Sequence, residues 1–399
     1  MTSTLILGAG LAGWTVAREL RRRSPDAAIS MVTADDGDFY AKPSLSNAFA
    51  RRASPQQLVG TPGAAMAEQL NVRLVRQVRA RGIDTGARLL RLEGGGSLPF
   101  DDLVLASGAR AIPSGVAGSA ADQVLSVNSL GDFGKLYDRL QVLGPDRADG
   151  ILIMGAGLIG CEFANDLAQA GYAVTVVEPG ERPLASLLPP AASEALRDAL
   201  GAAGVRWRFG TKVAAVDRHG HAAPDAPLQV TLSDGSRLDA GLVLSAIGLR
   251  PDLGLASSAG LACRRGILVD RLLRTSHPRV HALGDCAEYV DDRWEAGGIL
   301  GEGRLLPYVM PLMSAARALA ATLAGDPSPL ALAAMPVIVK TPALPLVVVP
   351  PEPGQSGAWS CIEDGVWTYL CAEGGCRGFV LAGATTSRRA AMMAGLAPR

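Results

Sequence analysis

The chain has 399 residues, 48% of them apolar, and its 38 basic residues balance 38 acidic ones. That length exceeds one ordinary core and predicts two or three domains. The charge balance excludes a globally basic nucleic-acid or membrane-surface binder, and no apolar run approaches the ~20 residues that a membrane helix needs.

The first predicted strand, Leu5 to Leu7, enters Gly8-Ala9-Gly10-Leu11-Ala12-Gly13, and a helix pattern follows from Trp14 to Arg22. A second strand, Ile29 to Val32, completes a strand, glycine turn, helix, strand order, which is a dinucleotide-binding unit. Aligned on their glycines, this unit has Thr33 where a second such unit has an acidic residue, so its ribose contact falls to the Thr33-Ala34 backbone or to Asp35. Phe39 to Ser46 has no regular period and carries Lys42, which reads either as a solvated loop lysine or as a reach toward a bound cofactor. Asn71 to Leu98 alternates around Gly-containing turns and predicts an antiparallel meander. Leu103 to Ala109 is a buried strand ending in small residues, Gly108 among them.

The loop with Pro113, Gly115 and Gly118 predicts the crossing into a second domain. There Ile151 to Met154 enters Gly155-Ala156-Gly157-Leu158-Ile159-Gly160, a helix-compatible segment runs from Glu162 to Ala170, and the strand Ala173 to Val177 ends on Glu178. The glycines admit a pyrophosphate to the helix N-terminus, and Glu178 offers a carboxylate to the adenosine ribose hydroxyls. Strands Val205 to Phe209 and Leu228 to Leu232 follow, with His219 and His221 in a polar turn between them. No third or fourth ligand lies near these histidines, so no metal site is expected. Leu242 to Pro251 echoes Leu103 to Gly108 and marks the return to the first domain.

Val280 to Asp285 is a strand capped by Gly-Asp, in which Asp285 reads as a cofactor ligand or a helix cap. Asp291 to Leu306 has no period and reads as a surface insertion, and a helix runs from Tyr308 to Leu323. Beyond Gly325-Asp326-Pro327, β-branched runs predict a small β-rich domain, with a hairpin of Trp367 to Leu370 and Gly378 to Leu381. The six cysteines lack the density of a disulfide scaffold. The start of the chain has no basic region before its apolar residues, so a soluble cytoplasmic protein is expected.

Two dinucleotide units, the second inserted in the first, resemble the glutathione-reductase-like two-dinucleotide-binding flavoproteins. Thr33 to Gly37, Tyr40 to Ser46, Gly155 to Leu167, Tyr308 to Met313 and Val339 to Ala343 are similar to the rubredoxin-NAD(+) reductases within them. The resemblance implies an α/β fold of two Rossmann-like domains plus a β-rich C-terminal α+β domain. It divides the chain into an FAD domain at 1–112 and 244–328, an NAD domain at 113–243 and a C-terminal domain at 329–399. It implies FAD at Gly8, Gly10, Leu11, Ala12, Gly13, Thr33, Ala34, Lys42, Ala80, Gly108, Asp285 and Val309, with Lys340 approaching the flavin from the C-terminal domain. NADH falls to Gly155, Gly157, Ile159, Gly160 and Glu178, and Lys42 pairs with Glu162 beside flavin N5. Glu178 argues for NAD over NADP because a carboxylate repels a 2'-phosphate, while Arg182 four residues on points the other way. The chain departs from the pattern at Thr33, at Ala80 where valine is usual, and in a longer segment before Tyr308.

Disulfide reductases of this kind carry a Cys-x-x-x-x-Cys pair beside the flavin, and residues 39–50 hold no cysteine. Cys371 and Cys376 have that spacing but flank a hairpin turn, where a structural pair is the simpler reading, and Cys161 at a helix start suits packing more than reactivity. The implied activity is hydride transfer from NADH to FAD and single-electron transfer to rubredoxin, supplying an alkane hydroxylase or an oxygen-reducing system. Rubredoxins are generally acidic, which nominates Lys42, Arg304 and Lys340 to help receive one. A ferredoxin reductase of an oxygenase, an NADH oxidase or small-molecule reductase, and a non-catalytic nucleotide sensor remain as alternatives. The short C-terminal domain points to a monomer.

Overall fold

The computed structural model describes residues 2–218, 226–290, 294–295, 298–299, 303–331, 334–352 and 354–397. His219 and His221 lie outside them. The chain forms two compact units, one of Met1–Ala41, Val59–Arg110 and Leu249–Leu332, the other of Lys42–Leu58, Ala111–Gly248 and Ala333–Arg399.

In the first unit, five parallel strands stand in the order Val280–Ala282, Asp102–Leu105, Ser3–Leu7, Ala28–Val32 and Arg73–Val75. Asp102 to Leu105 is buried at every position because both faces of a parallel sheet are covered. The helices Leu11–Arg23 and Val309–Leu323 pack against each other, and Arg21, Arg22 and Arg23 in the last turn of the first suit its negative end. The expected meander is shorter than its alternation suggested. Arg73–Val75 joins the parallel sheet, and only Ala80–Asp84, Leu89–Leu92 and Ser97–Pro99 pair antiparallel. Three residues are too few to show whether one face or both will be covered.

The second unit holds a matching parallel sheet in the order Leu125–Ser126, Leu242–Ser245, Ile151–Met154, Val174–Glu178 and Val205–Phe209. Leu152, Met154 and Val177 share a core with Val213, Val216, Val230 and Leu232 of an antiparallel three-stranded sheet. The same unit contains a five-stranded antiparallel sheet ordered Val337–Val339, Leu346–Val349, Cys376–Ala382, Val366–Cys371 and Gly357–Glu363. Its core is Val347, Val349, Val366, Phe379 and Leu381, with Met392, Met393 and Leu396 against it. The hairpin expected around the Glu-Gly-Gly turn is therefore present.

Both glycine-turn helices begin earlier than their sequence pattern suggested, at Leu11 and Leu158. The third glycine of each turn is a helical residue rather than a loop residue, packed against the backbone of the turn's first glycine. The segment before Tyr308 is less irregular than expected. Its described residues pair as short strands, Trp294–Glu295 with Gly298–Ile299 and Gly303–Leu305 with Ala287–Val290. Among the described residues no helix is long and apolar enough to cross a membrane.

Candidate functional site

Each parallel sheet ends in the same backbone device. Gly8 and Gly155 sit at φ +110° and +99°, where a side chain is strained, and their N–H groups donate to Val32 O and Val177 O, both at 2.8 Å. A Cβ on Gly13 would stand 1.9 Å from Gly8 O, and one on Gly160 would stand 2.1 Å from Gly155 O. Those positions are closed by packing of helix on turn. The middle glycines differ: a Cβ on Gly10 or Gly157 meets nothing within 4 Å. The open side of each turn, at the start of a helix, is where a pyrophosphate can approach the backbone. Leu11, Ala12 and Ile159 lie in the first turns of these helices.

The strand-end residues behave differently in the two turns. Glu178 accepts from Ala156 N at 2.7 Å and Gly180 N at 2.8 Å, so its carboxylate braces the second glycine turn. In the first, buried Thr33 donates its hydroxyl to Asp35 at 2.5 Å and Gly37 N donates to the same oxygen at 3.0 Å. Asp35 thus closes a local turn, and Trp14 Nε1 ties Gly37 O to the helix at 2.9 Å. In the same unit Ala80 opens a meander strand, Gly108 adopts φ +71° with open space before it, Asp285 lies in the Gly284–Cys286 3-10 turn, and Val309 begins a helix with 39% exposure.

The helix Leu158–Gln169 carries Glu162, Asn165 and Asp166 on one face, at the i, i+3, i+4 spacing that aligns side chains. All three are buried. Glu162 accepts from Ser46 Oγ at 2.5 Å and from Lys340 N at 3.0 Å, and it pairs with Lys340 Nζ at 3.0 Å. Asn165 accepts from Ala343 N at 3.0 Å. Asp166 accepts from Phe49 N at 2.8 Å and Ala50 N at 3.0 Å. One helix face therefore stitches together the Lys42–Asn47 3-10 turn, the loop after it and the segment around Lys340. Lys340 Nζ also donates to Pro43 O. Lys42 opens the 3-10 turn and is half-buried.

Burial pushes the Asp166 carboxyl above its ordinary value, against the opposing pull of the Ala50 and Phe49 N–H groups and of Arg51. Burial, reinforced by Glu178 and Glu162, pushes the Cys161 thiol far up as well. Cys161 packs in the core and donates to Ala156 O at 3.4 Å. Cys371 and Cys376 are both free thiols, with sulfur contacts to Glu373 at 4.0 Å and Gly378 O at 3.4 Å.

Of the residues expected from sequence, the structure brings Lys340 onto Glu162. Ser46, Asn165 and Asp166 had no place in that expectation. Their signal was available: three polar residues at helical spacing in an otherwise apolar helix need buried partners.

Residues 2–316 match the family described as pyridine nucleotide-disulphide oxidoreductase. The chain belongs to that family. It is an oxidoreductase that works with FAD and NADH, and the open turns at Gly10 and Gly157 fit two dinucleotides. Residues 329–396 match the rubredoxin binding C-terminal domain. The chain is 43% identical over 387 residues to the rubredoxin-NAD(+) reductase of Alcanivorax borkumensis, covering 96% of this chain and 95% of that one. It is 39% identical over 404 residues to the rubredoxin-NAD(+) reductase of Acinetobacter baylyi, covering 100% and 98%. Among solved structures it is similar to the covalent putidaredoxin reductase-putidaredoxin complex, with TM-score 0.85, 26% identity and coverage of 98% and 92%.

Proposed function

We propose that the chain passes electrons from NADH through FAD to rubredoxin. The observation that supports this most is the ion pair of Lys340, inside the segment matched as rubredoxin binding, with Glu162 on the helix leaving the second glycine turn. FAD, when bound, accepts a hydride from NADH and releases the two electrons singly. In this reading FAD belongs to residues 1–112 and 244–328, the nicotinamide dinucleotide to 113–243, and acceptor binding to 329–399.

Gly8, Gly10 and Gly13, with the first helix turn at Leu11 and Ala12, hold the FAD pyrophosphate. Thr33, Ala34, Ala80, Gly108, Asp285 and Val309 line the rest of that site. Gly155, Gly157, Ile159 and Gly160 hold the NADH pyrophosphate. Glu178 already braces the turn through Ala156 N, and its negative charge disfavours a 2'-phosphate. Lys42 and Lys340 supply positive charge for the reduced cofactor. Glu162 fixes Lys340 in place, so it acts by positioning.

Steady-state turnover with NADH and either rubredoxin or ferredoxin tests the reading. Rubredoxin should give the higher kcat/KM; a clear preference for ferredoxin moves the chain to the alternative acceptor. Fast oxygen consumption without any carrier points to an oxidase. The reading includes a cytoplasmic monomer, which light scattering and cell fractionation check.

A further inference from the structure

Resting on that reading, we infer that the turn Ala48–Ala53 is a built docking tip for the protein acceptor, and that Arg51 and Arg52 receive carboxylates on its surface. The tip lies outside the C-terminal segment matched as rubredoxin binding, and nothing in that match assigns it.

The turn is anchored from below on three sides. Phe49 is buried, with its ring 5.1 Å from that of Phe133 and 6.4 Å from that of Tyr137. Asp166 takes the Phe49 and Ala50 N–H groups. Arg52 N donates to Phe49 O and Ala53 N to Ala48 O, both at 2.9 Å, closing the loop on itself. These bonds hold Arg52 at φ +52°, a left-handed conformation that L side chains rarely adopt. A non-glycine residue kept there by its surroundings is a reason to look for a use.

What the turn displays is positive charge. Arg51 and Arg52 are both exposed. Among the described residues neither guanidinium forms an ion pair with a carboxylate, and Arg51 Nε is steadied by Asn47 O at 2.7 Å. Beside them lies a groove of about 380 Å³ whose lining includes Pro43, Asn47, Arg51, Gln169, Lys340 and Pro342. Lys340 and Pro342 belong to the matched acceptor-binding segment, so the cationic tip and that segment share one surface. The remaining charged residue of the lining, Asp166, is 3% exposed with both oxygens accepting backbone N–H groups. The surface therefore fits a protein whose docking face carries carboxylates, and rim charges of this kind set the association rate and its salt dependence.

The test uses the FAD-loaded enzyme, NADH and oxidised rubredoxin, at low and high ionic strength. For Arg51→Glu/Arg52→Glu we expect KM for rubredoxin to rise about tenfold at low salt and its salt dependence to flatten. Arg51→Lys/Arg52→Lys keeps the charge and should stay within about twofold of wild type. Arg52→Gly removes one cation while suiting the left-handed backbone, so a KM rise of about threefold there carries the same conclusion without a folding defect. A double-Glu variant with wild-type KM and salt dependence overturns the proposal, as does an equal KM rise in the Lys/Lys variant. A wild-type enzyme that turns over NADH but leaves rubredoxin oxidised overturns the proposed function and this docking site with it.

Discussion

Replacing Glu162 with Gln removes the charge at the centre of the helix face that joins three chain segments. Glu162 is 4% exposed and bonds Ser46 Oγ, Lys340 N and Lys340 Nζ. Gln keeps one acceptor oxygen and turns an NH2 toward a second donor, so at least one charge-assisted bond is lost, about 1.5–3 kcal/mol. Breaking a fully buried pair from one side reaches roughly 3–5 kcal/mol. Here Lys340 is 33% exposed, so water recovers part of its solvation and the lower range applies. The expected destabilisation is ~2 kcal/mol. Denaturant unfolding of Glu162→Gln, Lys340→Met and the double variant gives the coupling directly, and we expect about 1–2 kcal/mol. Additive effects, agreeing within about 0.5 kcal/mol, refute the claim that the two side chains hold each other.

Three further outcomes follow from the geometry. Gly160→Ala should unfold at markedly lower denaturant, because its Cβ would meet Gly155 O at 2.1 Å, whereas Gly157→Ala should keep wild-type stability and weaken NADH binding roughly tenfold; calorimetric titration with NADH separates the two. Cys161 should stay unalkylated by iodoacetamide at pH 8 in the folded enzyme while exposed Cys361 reacts, since burial raises the Cys161 thiol; peptide mass spectrometry reads this out. The Arg147 guanidinium holds the Asp149 carboxyl below its ordinary 3.8. The pair's contribution is thus present above 3.8 and lost as pH falls through the lowered folded value. Arg147→Ala should lose about 1 kcal/mol at pH 7, and its unfolding midpoint should converge on wild type in strong acid.

The two glycine turns, their flanking strands and the helices that leave them are legible because their signals are local. Glycine spacing, apolar strands and a helix start lie within about thirty residues of each other. Arg73–Val75 reads as part of the meander from sequence because its partner Ala28–Val32 is distant in the chain and a short strand carries little periodicity of its own. The Glu162 clamp was half legible. Lys340 and Glu162 are each singled out by resemblance, but Glu162 is expected on Lys42 rather than on Lys340, and Ser46, Asn165 and Asp166 make their bonds across 116 to 178 residues. Nothing in Ser44 to Arg52 hints that the backbone there ends on a buried aspartate. That contact exists only because the fold returns the helix Leu158–Gln169 beneath it.

The proposed route carries electrons from NADH through FAD to rubredoxin. Anaerobic titration of the FAD-loaded enzyme with NADH, followed by oxidised rubredoxin, measures both halves by absorbance in one cuvette. We expect NADH to bleach the flavin band near stoichiometry, and rubredoxin then to restore it while losing its own visible absorbance. A flavin that NADH fails to bleach contradicts the donor half, and a bleached flavin that stays reduced with rubredoxin still oxidised contradicts the acceptor half.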